Sequence, residues 1–392
     1  MPSLNLAPAS IDDYRRIAER RLPRALFDYI DGGAGAEATL AANVADFAGL
    51  RLKQRVMRDV SALDPSTALF GEAMAMPLAL APIGMGGMMR RRAETQAVRA
   101  ADAIGIPFCL STVSICSLEE VAKAASRPFW FQLYMLKDRG AVSALLDRAK
   151  AVGVRTLLFT VDLAVVGARY RDIRNGLSGG GGALGRLRAG LVDYLLHPQW
   201  LLDVGVGGKP HVFGNLSEYV PDAATPADFR QWVDKQFDPS VTWKDIERLR
   251  RDWDGNLVIK GVLTAEDAVA AADAGADGVV VSNHGGRQLD GVASGLAALP
   301  RIADALKGRA RVLVDGGVRS GQDVLRAVAS GADAALIGRP WIYAVAAQGE
   351  AGLKRYLALV KNDLSVAMAL TGVTRIGEVS GELIDGASGR TP

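Results

Sequence analysis

The chain has 392 residues, 49% of them hydrophobic, so it can bury a large core, and its 46 basic against 43 acidic residues leave a net charge of only +3. That balance excludes a nucleic-acid binder whose affinity rests on a basic face. No apolar run reaches the roughly 18 residues needed to span a bilayer, and the start Met1-Pro2-Ser3-Leu4 lacks the basic and apolar stretches of a secretory signal.

Residues 10–60 read as helices with charged faces, with Ser10 placed to cap the first. A second helix is expected from Pro23 to Asp31, ended by Gly32 or Gly33 in the left-handed conformation, with Tyr29 in its last turn. From Met76 onward, short apolar runs alternate with amphipathic stretches, the pattern of repeated βα units. Strands are expected at 78–81, 108–111, 130–134, 157–162, 257–260, 279–283, 312–315 and 335–338, and helices at 93–103, 118–124, 141–151, 265–274, 320–329 and 349–370. Eight such units predict an α/β chain closed as a (β/α)8 TIM barrel. A doubly wound open sheet is the alternative, but it calls for a switch in strand order that the regular alternation does not suggest. Gly84-Met85-Gly86-Gly87 has the wrong spacing for a dinucleotide loop.

The whole chain, 1–392, reads as one domain. It comprises an N-terminal helical extension (1–75), the barrel (76–348), an insertion (177–215) and a C-terminal helix with a tail (349–392). The insertion lies in a long strandless gap between Asp162 and Leu257. Its leucines and Trp200, with Arg186, Arg188 and Lys209, fit a segment lying in a membrane interface, and equally a lid over the barrel mouth. Asp193 and Asp203 count against a membrane span.

Barrel chemistry belongs at the carboxyl ends of the strands. His284 follows the valine run 279–281 and precedes Gly285, Gly286 and Arg287, which sets a titratable base beside a fixed cation. Asp162, on another strand, is placed to meet His284 across the mouth and is expected to raise the basicity of the imidazole. Arg169 and Arg287, with Tyr29 and Tyr134, suit a small carboxylate substrate. Asp315, Gly316, Gly317 and Arg319, followed by Gly338 and Arg339, match the usual phosphate site of such barrels. Lys260, closing an apolar strand, should point into the mouth and stabilise a cofactor anion. His197 and His211 read as structural or surface residues. Cys109 and Cys116 read as reduced core thiols, and no metal-ligand spacing is present.

The run Ser282–Asp290, reading Ser-Asn-His-Gly-Gly-Arg-Gln-Leu-Asp, resembles the signature of the FMN-dependent 2-hydroxy acid oxidases and dehydrogenases. Ala81-Pro-Ile-Gly, Leu110-Ser-Thr, Phe131-Gln-Leu-Tyr, Thr160-Val-Asp, Val258-Ile-Lys-Gly and Asp315-Gly-Gly-Val-Arg extend the likeness over nearly the whole chain. His197-Pro-Gln-Trp and Phe237-Asp-Pro-Ser are most similar to the membrane-associated, quinone-linked L-lactate dehydrogenases, with mandelate dehydrogenases as the nearest rivals. Val113 stands where plant-type glycolate oxidases carry tryptophan.

The resemblance implies FMN, with Ser111, Gln132, Thr160, Lys260 and Ser282 near its ring and Pro82, Ile83 and Gly84 supplying backbone contacts. It implies phosphate binding by Gly316, Gly317, Arg319, Gly338 and Arg339. It makes His284 the base, Asp162 its partner and Tyr134 a donor to the substrate oxygen, with Tyr29, Arg169 and Arg287 as the carboxylate clamp. It further implies a quinone acceptor, a homotetramer, and attachment through 177–215 to the cytoplasmic face of the inner membrane. Oxidation of (S)-mandelate or another 2-hydroxy acid, an oxygen-reducing oxidase, and a non-catalytic phosphate-binding barrel are the alternatives.

Overall fold

The computed structural model describes residues 7–175, 193–219 and 235–386. Eight parallel strands follow one another around a single sheet: β3 (Leu78–Leu80), β4 (Cys109–Ser111), β5 (Trp130–Leu133), β6 (Thr156–Thr160), β7 (Asn256–Val262), β8 (Gly278–Val281), β9 (Arg311–Val314) and β10 (Ala334–Ile337). A parallel bridge between Leu80 and Phe108, with the Leu80 amide 2.9 Å from the Pro107 carbonyl, links β3 to β4 and closes the ring. The open doubly wound alternative is thereby excluded. Each strand falls within a residue or two of its expected place, because strands covered on both faces must be continuously apolar.

Two apolar layers result. Ala79, Cys109, Trp130, Leu158, Val258, Val280, Leu313 and Leu336 fill the barrel interior, while the larger cluster packs between the sheet and its helices. Several of those helices start on a side-chain cap: Ser117, Asp138, Thr264, Ser294 and Ser320 each accept from the amide three residues on. The expected C-terminal helix is present: the span Arg339–Thr371 is two helices separated by a kink at Gly349, where φ is +66°, and the second begins where the sequence places it.

The N-terminal extension departs from a purely helical reading. Helices Ile11–Arg21, Arg24–Asp31 and Ala38–Gly49 are present, but 50–66 is irregular and a hairpin follows, β1 (Thr67–Leu69) and β2 (Glu72–Met74). Phe70 and Gly71 both have positive φ, as a two-residue turn requires. Phe70 packs edge-on against Trp130 at 5.9 Å, plugging the end of the barrel remote from the strand carboxyl ends. Nor does the second helix end on a left-handed glycine: Gly32 is extended, with φ −73°. It is glycine for space, since a Cβ there would lie 2.7 Å from the Asp28 carbonyl.

Asp31 at that helix end ties four segments together. It accepts from Arg15 Nε at 2.6 Å, Arg171 Nη1 at 2.9 Å and Tyr343 Oη at 2.7 Å. Burial pushes its carboxyl up, but these donors outweigh burial and lower it to about 2. A carboxyl depressed in the folded state stabilises the fold above its unfolded value near 3.8 and loses that contribution as pH falls toward 2. Asp31→Asn should therefore cost about 2 kcal/mol at pH 7 in chemical denaturation, with the gap to the unsubstituted protein narrowing between pH 4 and pH 2. A gap constant with pH would contradict the assignment.

Candidate active site

The turn after β8 decides where the imidazole goes. His284, Gly285 and Gly286 have φ of +58°, +65° and +75°, three left-handed residues in succession. Neither glycine tolerates a side chain: a Cβ on Gly285 would lie 2.9 Å from Arg339 Nη1, and one on Gly286 would lie 2.6 Å from the Leu40 amide. His284 is the one member with a Cβ, at a cost of roughly 1–2 kcal/mol. Its neighbours hold it there. Ser282 Oγ accepts the His284 amide at 3.0 Å, and Asn283 exchanges amide hydrogen bonds of 2.9 and 2.8 Å with buried Asn43.

Delivered this way, His284 Nδ1 lies 2.8 Å from Asp162 Oδ1. Assigning the proton to Nδ1 leaves Nε2 as the acceptor for the cavity that His284 lines. Asp162 finds room because β7 breaks register between Lys260 and Val262: Gly261 takes φ +107°, and a Cβ there would stand 2.7 Å from that of Asp162. Lys260 Nζ reaches Asp315 Oδ2 at 3.0 Å and Ser282 Oγ at 3.1 Å and is only 4% exposed.

Burial lowers the His284 pKa, and the opposing pull of Asp162 does not overcome it, so the imidazole titrates below 6.5. The sequence expectation of a raised basicity is corrected here: desolvation of the cation outweighs the carboxylate. For Asp162, burial pushes up, but His284 and Lys260 hold it below its ordinary value. Burial pushes Lys260 down, yet Asp315 and Asp162 keep it above 10.5, a fixed ammonium.

One cavity collects most of the expected residues. Tyr29, Pro82, Ile83, Gly84, Tyr134, Thr160, Arg169, Lys260, His284, Arg287, Asp315, Gly316, Gly317, Arg319, Gly338 and Arg339 all line it. Ser111, Gln132, Ser282 and Asp162 do not. Ser111 Oγ donates to Gln132 Oε1 and Gln132 Nε2 to Thr160 Oγ1, each at 3.0 Å, so the first two brace Thr160 from behind the wall. Ser282 braces Lys260 and the His284 amide.

At one end, Gly316 and Gly317 have φ of +83° and +101°, and a Cβ on Gly317 would overlap the Asn43 carbonyl at 1.9 Å. Arg319 and Arg339 face this end, and among the described residues neither has a carboxylate within salt-bridge distance. Arg339 also has backbone partners. Its Nε, Nη1 and Nη2 donate to the carbonyls of Ile30, Gly285 and Gly32, so it ties three segments while keeping its charge at the cavity. At the substrate side, Arg287 lies 4.9 Å over the Tyr29 ring and donates to the Tyr29 and Gly32 carbonyls, while Arg169 Nε reaches the Arg287 carbonyl at 3.2 Å.

Sequence reasoning missed the apolar half of the wall: Met85, Leu163, Val166, Phe213, Phe237 and Ile342. Two of these, Phe213 and Phe237, come from the strandless gap, where aromatic residues were the available signal. Trp200, read as an interfacial side chain, is instead buried, donating to the Met88 carbonyl at 2.7 Å and stacking on Tyr194. The exposed apolar groups of that segment are Leu195, Leu196, Leu202 and Val206. The part of the insertion from 177 to 192 lies outside the described residues. His197 and His211 bind the carbonyls of Asp193 and Val204, as structural residues do. Cys109 and Cys116 are buried free thiols.

A glycine cradle with two part-buried, carboxylate-free arginines suits a phosphate dianion, and a buried ammonium beside an apolar wall suits a ring that gathers negative charge. The comparisons agree with that pairing. Residues 18–386 match the family model of the FMN-dependent dehydrogenases. The chain is 55% identical over 372 residues to an L-lactate dehydrogenase of Ectopseudomonas mendocina (strain ymp), covering 95% of this chain and 97% of that protein. It is 56% identical over 372 residues to an L-lactate dehydrogenase of Caulobacter vibrioides (strain NA1000 / CB15N), covering 95% and 96%. Among solved structures, the monotopic membrane protein (S)-mandelate dehydrogenase superposes with a TM-score of 0.89 at 34% identity, covering 96% of this chain and 99% of that one. A mandelate oxidase superposes at 0.80 and 37%, covering 95% and 97%. The chain belongs to the FMN-dependent dehydrogenase family, and its cofactor is FMN.

The lowered imidazole pKa fixes the sign of the pH response. If neutral His284 is the active form, kcat/KM should hold as pH falls to 6.5 and decline only below it. Asp162→Asn removes the group that pulls the imidazole upward, so the acid limb should move to still lower pH while the plateau drops about 10²-fold or more. Steady-state profiles of both proteins check this; a limb moving to higher pH in the variant would count against it.

Proposed function

We propose that this FMN-dependent 2-hydroxy acid dehydrogenase oxidises L-lactate to pyruvate and passes the electrons to a membrane quinone. The observation that carries the reading is the 2.8 Å His284–Asp162 pair at a cavity also lined by Arg169, Arg287, Tyr29 and Tyr134. In it, the two guanidinium groups attract and orient the carboxylate, Tyr134 bonds the hydroxyl oxygen, and His284 Nε2 takes a proton from the substrate. Asp162 then stabilises the imidazolium, which burial alone would disfavour. FMN, when bound, supplies the two-electron acceptor for the oxidation. Gly316, Gly317, Arg319, Gly338 and Arg339 would hold its phosphate, Pro82 to Gly84 and Thr160 would flank its ring, and Lys260 would stabilise negative charge on it. The 54–56% identity to L-lactate dehydrogenases supports lactate.

The apolar wall of Val113, Leu163, Val166, Phe213 and Phe237 favours (S)-mandelate as the second reading, as does the likeness to a mandelate dehydrogenase. Anaerobic mixing decides between them. The visible flavin band of the purified protein should bleach faster with L-lactate than with (S)-mandelate at equal concentration, and D-lactate should leave it unchanged. Faster bleaching by mandelate would transfer the assignment. With L-lactate as donor, turnover on a short-chain quinone should exceed turnover on oxygen; the reverse would make the protein an oxidase.

For localisation, the reading is monotopic attachment to the cytoplasmic face of the inner membrane through 177–215, as a homotetramer. No helix among the described residues is long and apolar enough to cross a membrane. Exposed Leu195, Leu196, Leu202 and Val206 offer apolar area to an interface instead. Deleting 177–210 should move the protein from membranes to the soluble fraction while dye-coupled activity remains measurable. Membrane retention after that deletion would refute the anchor.

A further inference from the structure

A second cavity of about 430 Å³ adjoins the first. The two share Tyr134, Thr160, Leu163 and Phe237, so a wall one side chain thick divides them. That wall is anchored. Phe237 bridges Leu136 in antiparallel fashion, with the Lys137 amide 2.8 Å from the Gln236 carbonyl, and its ring packs 4.9 Å from that of Tyr134. The register break at Gly261 separates the two spaces along β7: Lys260 lines the first, Gly261 and Val262 the second. Phe159, pointing away from the barrel interior, and Trp243, at the start of helix Trp243–Asp252, supply aromatic area on the far side.

The chemistry of this lining narrows the occupant. Among the described residues it contains no lysine, arginine or histidine, whereas Asp238 and Asp267 contribute, the former paired with Arg139. A hydroxy acid, a phosphate or any other anion would lose its hydration there and meet no cation. A neutral, flat, apolar molecule loses little water and gains ring contacts with Phe237 and Trp243. The volume lies within the roughly 300–1,000 Å³ typical of small-molecule sites.

We propose that this second cavity receives the electron acceptor, a neutral planar ring of the quinone class, across the Tyr134–Phe237 wall from the flavin cavity. The inference rests on the proposed quinone-linked activity and adds the place where the acceptor binds. Over one turnover, the hydroxy acid loses a C–H and an O–H hydrogen, amounting to two electrons and two protons. The two quinone carbonyl oxygens gain the same, giving one 2-oxo acid and one quinol. Separate cavities let substrate and acceptor be bound together, with opposite electrostatic demands met on opposite sides of one wall.

Val241 and Ala164 line the second cavity and not the first, so enlarging either fills the acceptor space alone. The test uses holoenzyme carrying Val241→Trp, with Ala164→Phe in an exposed loop position as the companion should the first fail to fold. Wild-type turnover with L-lactate is measured first, with a short-chain benzoquinone and with ferricyanide. Reduction of ferricyanide but not of the quinone would sink the quinone-linked reading itself, and this proposal with it. Where the wild type reduces both, the filled variants should raise the KM for the quinone by about tenfold or more, through loss of ring contacts and burial. Their ferricyanide turnover and visible spectrum should stay within about twofold of wild type on the same scale. Equilibrium dialysis of the benzoquinone against oxidised holoenzyme without lactate should show the same loss of affinity. Unchanged quinone KM and unchanged dialysis binding in a folded variant would overturn the site while leaving the lactate-to-quinone activity standing.

Discussion

Three consecutive left-handed residues at the end of β8 are the constraint on which the site depends. A histidine in that conformation is unfavourable by itself, and it persists where its surroundings over-determine it. Here Asn43, from the N-terminal extension, pairs with Asn283, Arg339 binds the Gly285 carbonyl, and the Gly286 amide is accepted by Asn283 Oδ1 at 2.9 Å. The extension is thus part of the wall of this site's cavity. The same segment supplies Tyr29, places Asp31 in its ion network and offers the Asn43 carbonyl that only a glycine at 317 can approach.

Electrostatics follow from that geometry. Lys260, Arg169, Arg287, Arg319 and Arg339 converge on one cavity, against two carboxylates, Asp162 and Asp315. Each of those carboxylates has one buried oxygen without a hydrogen-bond partner, Asp162 Oδ2 and Asp315 Oδ1. A chain with a net charge of only +3 therefore concentrates its imbalance at this cavity, a surrounding that favours anions. Water excluded from such a site strengthens every interaction within it. His284 illustrates the opposing side of that effect, since burial disfavours its cation.

Much of this was legible in the sequence, for identifiable reasons. The eight strands could be read because parallel strands buried on both faces leave uninterrupted apolar runs, and their polar ends marked the mouth. His284, Asp162 and Lys260 stood out as polar groups at the ends of apolar strands. Other features escaped for physical reasons. The Thr67–Met74 hairpin is too short to show alternation, and Gly32 looked like a helix cap although its role is spatial clearance. The direction of the His284 shift needs a measure of burial that residue order does not contain. Arg339 and Trp200 were assigned by residue type, yet their hydrogen bonds to backbone carbonyls give them structural work. The apolar wall could not be read, because Phe213 and Phe237 arrive from a segment without periodicity.

The central claim is that the imidazole held by Asp162 takes the proton while the rest of the cavity only binds and orients. Single-turnover bleaching of the flavin by L-lactate in His284→Gln tests it most directly. The account predicts an unchanged oxidised spectrum, showing that FMN is still bound, with a bleaching rate lower by about 10²–10⁴-fold. A rate close to that of the unsubstituted protein, with the spectrum intact, would contradict it.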